Sequence, residues 1–236
     1  MQLPFFYEEE ISPDADFHIS EASSRHIVQV LRKKASDQVR FTDGRGLSVT
    51  AEILEANKKN TRVHSLSRQH DAPSKHHLTI AISFIKNAGR FEWFLEKATE
   101  IGIKKIQPLI CSRTEKVRYK KDRMSSIAIS AMLQSQQVWL PEISAPVLFS
   151  DWLGSSNEKK SSFIAHCLDS EKAPLQQALA NAPFPRTMMI GPEGDFTSEE
   201  IAAAIQAGFI PVSLGETRLR TETAAIVAAV MLTNIC

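Results

Sequence analysis

Residues 190–200 read IGPEGDFTSEE. The residues just before Gly191, TMMI (Thr187–Ile190), are mostly apolar and fit a buried strand. Thr197 to Glu200 spells TSEE, a capping box. The Thr197 hydroxyl can accept from the Glu200 N–H, and the Glu200 carboxylate can accept from the Thr197 N–H. The stretch therefore predicts a strand, a glycine turn and a helix starting at Ser198, the joint from which parallel α/β sheets are built. Ligands of such sheets sit at the carboxyl ends of the strands. The turn matches neither G-x-G-x-x-G nor G-x-x-x-x-G-K-[ST]. It has no lysine, and Glu193 and Asp195 would repel an anion. Close backbone approach at Gly191 and Gly194 suits an adenine edge, so a neutral or cationic ligand fits better than a phosphate. An ordinary strand-to-helix loop is the plain alternative for this segment taken alone.

The same rhythm extends in both directions. LTIAISFI (Leu78–Ile85) is a continuous apolar strand, and GRFEWFLEKATEIG follows with Phe91, Phe94, Leu95, Ala98 and Ile101 at helical spacing and Gly102 as C-cap. Next come the strand KKIQPLIC, an amphipathic helix over 120–137, the strand SFIAHCL (Ser162–Leu168), a short helix over 174–181, the strand FIPVSL and a last helix from about Glu222. Strands buried on both faces and alternating with helices predict a parallel α/β sheet. The first seventy residues differ. Apolar and polar residues alternate around Val39, Phe41, Leu47, Val49, Ala51 and Ile53, with turn signals at Asp43-Gly44 and 57–60. They predict a small β-barrel interrupted by one helix, Glu21–Leu31, capped by Ser20, with Ile27, Val28 and Leu31 on one side. The polar, proline-containing RQHDAPSKHH (Arg68–His77) reads as a linker, which places the domains at 1–72 and 73–236.

Composition narrows the classes. Lys and Arg total 28 against 27 Asp and Glu, so overall charge argues neither for nor against nucleic acid, but six bases against two acids between Arg113 and Arg123 allow a local basic surface. The three cysteines, Cys111, Cys167 and Cys236, are widely spaced and form no C-x-x-C, which argues against a disulfide scaffold or a structural zinc. Glu92, Glu96 and Glu100 share a helix face with no histidine and read as a solvated face rather than a metal site. The N-terminus MQLPFFYEEE is no signal peptide, and the longest apolar run, Ala224–Leu232, is too short to span a membrane. A soluble cytoplasmic protein without a metal is expected.

SLGETRLRTETAA, Ser213–Ala225, leaves the strand next in sequence and should end beside the glycine turn. Glu222 sits where a helix dipole favours an acid. Arg218 and Arg220, beside a helix that looks buried, would cost desolvation unless paired with a carboxylate, a phosphate or a developing oxyanion.

IGPEGDF followed by LGETRLRTETA strongly resembles the RsmE family of ribosomal RNA methyltransferases, within the SPOUT superfamily. VLRKKASDQVRFTDGRG, GRFEWFLEKATEIGIKKIQPL and QSQQVWLPEI extend the likeness over nearly the whole chain. The resemblance implies S-adenosylmethionine-dependent methylation of N3 of one uridine in 16S ribosomal RNA, a PUA-like RNA-binding barrel, a SPOUT domain with a trefoil knot, and a homodimer. It places Ile190, Gly191, Pro192, Glu193 and Gly194 on one wall of the cofactor pocket. Leu214, Gly215, Arg218, Leu219, Arg220 and Thr221 form the opposite wall, and His166, Cys167 and Leu168 a third. Methylation at N3 would need a fixed cation for the uracil oxygens, which suits Arg220, and a proton acceptor, which suits Glu222 or a water it orients, with Glu193 as the alternative; an ion pair bracing the two loops is the plain structural reading of the same residues. Arg25, Arg32, Lys33, Lys34, Lys86, Arg90, Arg113, Lys116 and Arg118 are the expected RNA contacts. The chain departs from the family at Asp195, commonly glycine, and at Gln137, often arginine. Asp195 should be tolerated as an acid near a helix start. The alternatives are a non-catalytic RNA-binding module, a SPOUT enzyme acting on another RNA such as transfer RNA ribose, and a nicotinamide oxidoreductase. The missing G-x-G-x-x-G argues against the last.

Overall fold

The computed structural model describes residues 3–155 and 161–234; Cys236 lies outside them. The chain divides into two compact units, residues 1–73 with 129–140, and residues 74–128 with 141–236.

The first unit is built from β1 (Phe5–Tyr7), β2 (Asp16–His18), α1 (Glu21–Arg25), β3 (Gln38–Thr42), β4 (Leu47–Glu55) and β5 (Arg62–His70). The strands form one sheet in the order β1-β3-β4-β5-β2. The alternation expected from the sequence puts Val39, Phe41, Val49, Ala51 and Ile53 fully in its core, joined by Val63, with Leu47 only partly buried against them. Ser20 caps α1, its hydroxyl accepting from Ser23 N. Beyond Arg25 the helix widens into a π-helical turn, His26–Val30, and the chain then enters the left-handed region at Arg32 (φ 54°). Ile27 is fully buried, but Leu31, at the end of that turn, is 38% exposed rather than on the core face. The expected linker is also shorter, because Ser67–His70 pair with Leu47–Thr50 and prolong β5. Polar side chains there hide a paired backbone. Residues 129–140, read from sequence as part of the second domain, belong to this unit. Val138 O accepts from Gly46 N (2.9 Å), Gly44 O accepts from Leu140 N (2.8 Å), and Trp139 lies where a Cβ on Gly46 would stand, 2.5 Å away.

The second unit follows the predicted alternation: β6 (Leu78–Ser83), α2 (Ala88–Ile101), β7 (Lys105–Ile110), α3 (Lys121–Gln134, shared with the first unit), β8 (Glu142–Ile143), β9 (Val147–Leu148), α4 (Phe149–Ser155), β10 (Ser161–Ala165), β11 (Ala173–Pro174), α5 (Leu175–Leu179), β12 (Arg186–Ile190), α6 (Ser198–Gln206), β13 (Ile210–Ser213) and α7 (Thr221–Asn234). Its sheet is parallel throughout, in the order β11-β13-β10-β12-β6-β7-β8, with β9 also on β7. Successive strand residues serve opposite faces. Ile80, Ile82, Met188 and Ile190 pack with Phe91, Phe94 and Leu95 of α2 and Ala225, Ala228 and Ala229 of α7. Ala81, Ile164 and Met189 pack with Phe149, Trp152, Phe196 and Ile201. This is why the strands read as continuous apolar runs. Gly102 ends α2 at φ 93°. Within the chain, α2, α5 and the sheet bury Ala225, Ala228, Ala229 and Leu232 of α7, while Val230 stays 40% exposed.

Candidate active site

β13, β10 and β12 lie side by side, so the three loops leaving their carboxyl ends converge. They enclose a cavity of about 600 Å³, within the range of small-ligand sites.

The loop after β12 is held from several directions. The capping box forms, with Glu200 Oε2 accepting from Thr197 N (2.9 Å) and Thr197 Oγ1 accepting from Glu200 N (3.2 Å). The other oxygen of Glu200, a buried side chain, accepts from Ser112 N (2.8 Å) and Ser112 Oγ (3.0 Å). Arg113 donates from Nη1 to Gly194 O (2.7 Å) and Phe196 O (3.4 Å), bracing the loop. The two glycines serve this packing. A Cβ on Gly191 would stand 3.0 Å from the Phe196 ring, and one on Gly194 would stand 3.3 Å from Arg113 Cδ. Gly191 is the tighter of the two, because its neighbours include the Phe196 backbone nitrogen at 3.1 Å, whereas at Gly194 only the flexible Arg113 side chain would have to give way. Asp195 takes φ 65°; its Oδ1 accepts from Phe196 N (2.8 Å) and its Oδ2 from Cys167 N (2.7 Å).

The loop after β10 carries His166 and Cys167. Lys172 Nζ donates to His166 O (3.1 Å) and Leu168 O (2.6 Å). The His166 side chain is buried, and both ring nitrogens lack a partner. Burial holds its imidazole below the ordinary histidine range; Lys172 adds to this and Asp195 opposes it. A neutral ring offers one donor and one acceptor to whatever fills the cavity.

The loop after β13 runs from Leu214 to Arg220 and feeds α7. The buried arginines expected here are not found. Arg218 and Arg220 are exposed, because the loop lies at the cavity mouth, so neither needs a carboxylate partner. The burial falls instead on Glu222, in the first turn of α7. Its Oε1 lies 3.6 Å from Arg90 Nε, and its Oε2 is buried without a partner.

Twelve of the fourteen expected cofactor residues line the cavity: His166, Cys167, Ile190, Gly191, Pro192, Glu193, Leu214, Gly215, Arg218, Leu219, Arg220 and Thr221. Leu168 and Gly194 fall outside the wall. Lys172 and Asp195 are wall residues that the sequence reading left out. No local signal marks Lys172. The φ demand of a tight turn could have marked Asp195, since aspartate tolerates the left-handed region. Glu193 is exposed, accepts from Lys86 N (2.9 Å), and borders both this cavity and a neighbouring depression lined by Lys86, Arg90 and Arg118 at the start of α2. Lys86 Nζ also meets Glu115 (2.6 Å). Lys116 is exposed. In the first unit Arg25 pairs with Glu21 (2.6 Å), Lys33 approaches Asp37 (3.8 Å), and Arg32 and Lys34 are exposed.

The wall mixes Lys172, Arg218 and Arg220 with Glu193, Asp195 and Glu216. The first turn of α6 is filled by Glu199 and Glu200, so the helix terminus offers no anion cradle. A ligand that carries a cation and neutral polar edges fits this set better than an anion, and the His166 ring nitrogens are unpartnered in the same wall. Among the described residues, no cluster of three His, Cys, Asp or Glu side chains could hold a metal. Among the same residues, no helix is long and apolar enough to cross a membrane.

A family model described as an RNA methyltransferase domain matches residues 72–233, and one described as an RNA methyltransferase PUA domain matches residues 19–63. Ribosomal RNA small subunit methyltransferase E of Synechocystis is 31% identical over 91% of this chain and 72% of its own length. The protein of the same name from Rickettsia conorii is 30% identical over 91% of this chain and 85% of its own. The crystal structure of a ribosomal RNA small subunit methyltransferase E from Neisseria gonorrhoeae bound to S-adenosyl methionine is 29% identical, with a TM-score of 0.84 over 97% of this chain and 95% of that one.

Proposed function

Because the chain belongs to the RNA methyltransferase family matched over residues 72–233, we propose that it uses S-adenosylmethionine to methylate N3 of one uridine in 16S ribosomal RNA of the small subunit. The observation that carries this reading is the convergence of the 190–195 and 214–221 motifs on one cavity at the ends of β10, β12 and β13.

When bound there, S-adenosylmethionine supplies a sulfonium methyl group. Uracil N3 is an imide nitrogen and becomes a good nucleophile as its proton leaves, which spreads negative charge onto the flanking carbonyl oxygens. Arg220 stands at the cavity mouth with a fixed charge and a forked donor set, which suits those oxygens. The proton needs an acceptor. Glu193 is the exposed candidate on the cavity rim; Glu222, the other candidate, is not itself a wall residue, and its unpartnered Oε2 is buried. Lys86, Arg90 and Arg118 lie beside Glu193 and would meet phosphates. The PUA-like unit, with Arg25, Arg32, Lys33 and Lys34, adds affinity. The knot implied by the resemblance and a cytoplasmic location belong to the same proposal. So does a homodimer, supported by the apolar surface that α7 leaves exposed around Val230.

Mass spectrometry of 16S ribosomal RNA nucleosides from a deletion strain, with and without the gene restored, tests the reading. Loss and return of 3-methyluridine is expected, and an unchanged nucleoside profile would refute it.

A further inference from the structure

We infer that Asp195 is a positioning residue of the cofactor cavity, a clamp that ties the loops after β10 and β12 into their ligand-receiving shape; this rests on reading that cavity as the S-adenosylmethionine site. Asp195 adopts φ 65°, a conformation that strains a residue with a Cβ. Glycine would remove the strain but would bring no acceptor. Here both carboxylate oxygens are used. Oδ1 takes the N–H of Phe196, the next residue in the same loop, and Oδ2 takes the N–H of Cys167, 28 residues earlier at the end of β10. The Cys167 bond is short, 2.7 Å, as a bond to a charged acceptor should be.

The neighbouring polar groups agree. Lys172 holds the carbonyls of His166 and Leu168, while Asp195 holds the N–H between them. Backbone groups of three consecutive residues of one loop are thus held by two side chains of opposite charge, both in the cavity wall. Of the two, Asp195 comes from the other loop. Fixing the loops before a ligand arrives lowers the ordering cost of binding, so the clamp should appear in affinity more than in global stability. It also holds the backbone that carries His166, whose unpartnered ring faces the same cavity.

Calorimetric titration of the full-length protein with S-adenosylmethionine tests this, alongside Asp195→Gly, Asp195→Asn and amide hydrogen exchange at Cys167. Asp195→Gly removes strain and acceptors together, so its thermal midpoint should move little. Its Kd should rise about tenfold, and the Cys167 amide should exchange faster while α6 amides do not. Asp195→Asn keeps one acceptor but turns its NH₂ toward the other N–H, so it should recover part of the affinity lost in Asp195→Gly. Native affinity in both variants with Cys167 still protected would overturn the clamp. So would a loss of affinity accompanied by equal loosening of every helix, which would mark a general structural defect. Failure of the native protein to bind S-adenosylmethionine would instead overturn the reading of the cavity.

Discussion

Replacing Glu200 by alanine removes three hydrogen bonds at once: those from Thr197 N, Ser112 N and Ser112 Oγ. Bonds to a charged acceptor contribute roughly 1.5–3 kcal/mol each. Two discounts apply. Ser112 is exposed, so water can replace part of what its N–H and hydroxyl lose, and Thr197 can still cap α6 through its own oxygen. The remaining loss is about 3 kcal/mol, which for a chain of this size lowers the thermal midpoint by roughly 6–12 °C. Glu200→Gln should cost about half as much, because one oxygen remains but the amide NH₂ turns a donor toward an N–H. Thermal unfolding followed by circular dichroism measures both. Because Glu200 fixes the helix start that feeds the 191–196 loop, cofactor affinity should fall along with stability. A loss below ~1 kcal/mol for Glu200→Ala would refute the claim that this carboxylate joins the loop after β7 to the loop after β12.

Arg220→Ala should slow methyl transfer by about two orders of magnitude while S-adenosylmethionine affinity stays within a few-fold; a parallel collapse of affinity would make Arg220 a pocket brace. Val230→Arg should give a folded monomer in light scattering. Ala228→Arg should unfold the protein, since Ala228 is fully buried within its own chain. The folded state holds the His166 imidazole below its ordinary range, so just below pH ~6.5 the unfolded chain takes up a proton that the folded one does not. Stability should therefore fall as pH drops through that window, less so in His166→Gln, as read by denaturant midpoints. Burial, with the Glu200 charge adding, pushes the Cys111 thiol up to about 12, so iodoacetamide at pH 8 should spare it. Cys167, exposed in the cavity wall, should be alkylated and then protected by bound cofactor, as mapped by peptide mass spectrometry.

The features that were legible in the sequence are local ones. The TSEE capping box, the Ser20 cap and the Gly102 terminus each depend on residues within a turn of one another, and each forms. The apolar runs of β6 and β12 identify buried parallel strands because both faces are covered. What was not legible depends on distant partners. The exposure of Arg218 and Arg220 follows from where a whole loop ends, not from the arginines. The carboxylate that is buried near them, Glu222, sits two residues past Arg220 in the first turn of α7, where a helix dipole already accounts for an acid. Asp195 reads as a tolerated acid, yet its partner at Cys167 is 28 residues away. The polar end of β5 reads as a linker because backbone pairing leaves no mark on side chains that face solvent.

The share of 129–140 in the first unit has a consequence for biosynthesis. The turn at Gly44–Gly46 meets Val138, Trp139 and Leu140, which leave the ribosome roughly 70 residues after Pro73. At ordinary elongation rates that is a delay on the order of ten seconds. During it the nascent N-terminal strands lack the segment that packs on this turn, and they must wait, paired but incomplete, while much of the second unit is still being translated.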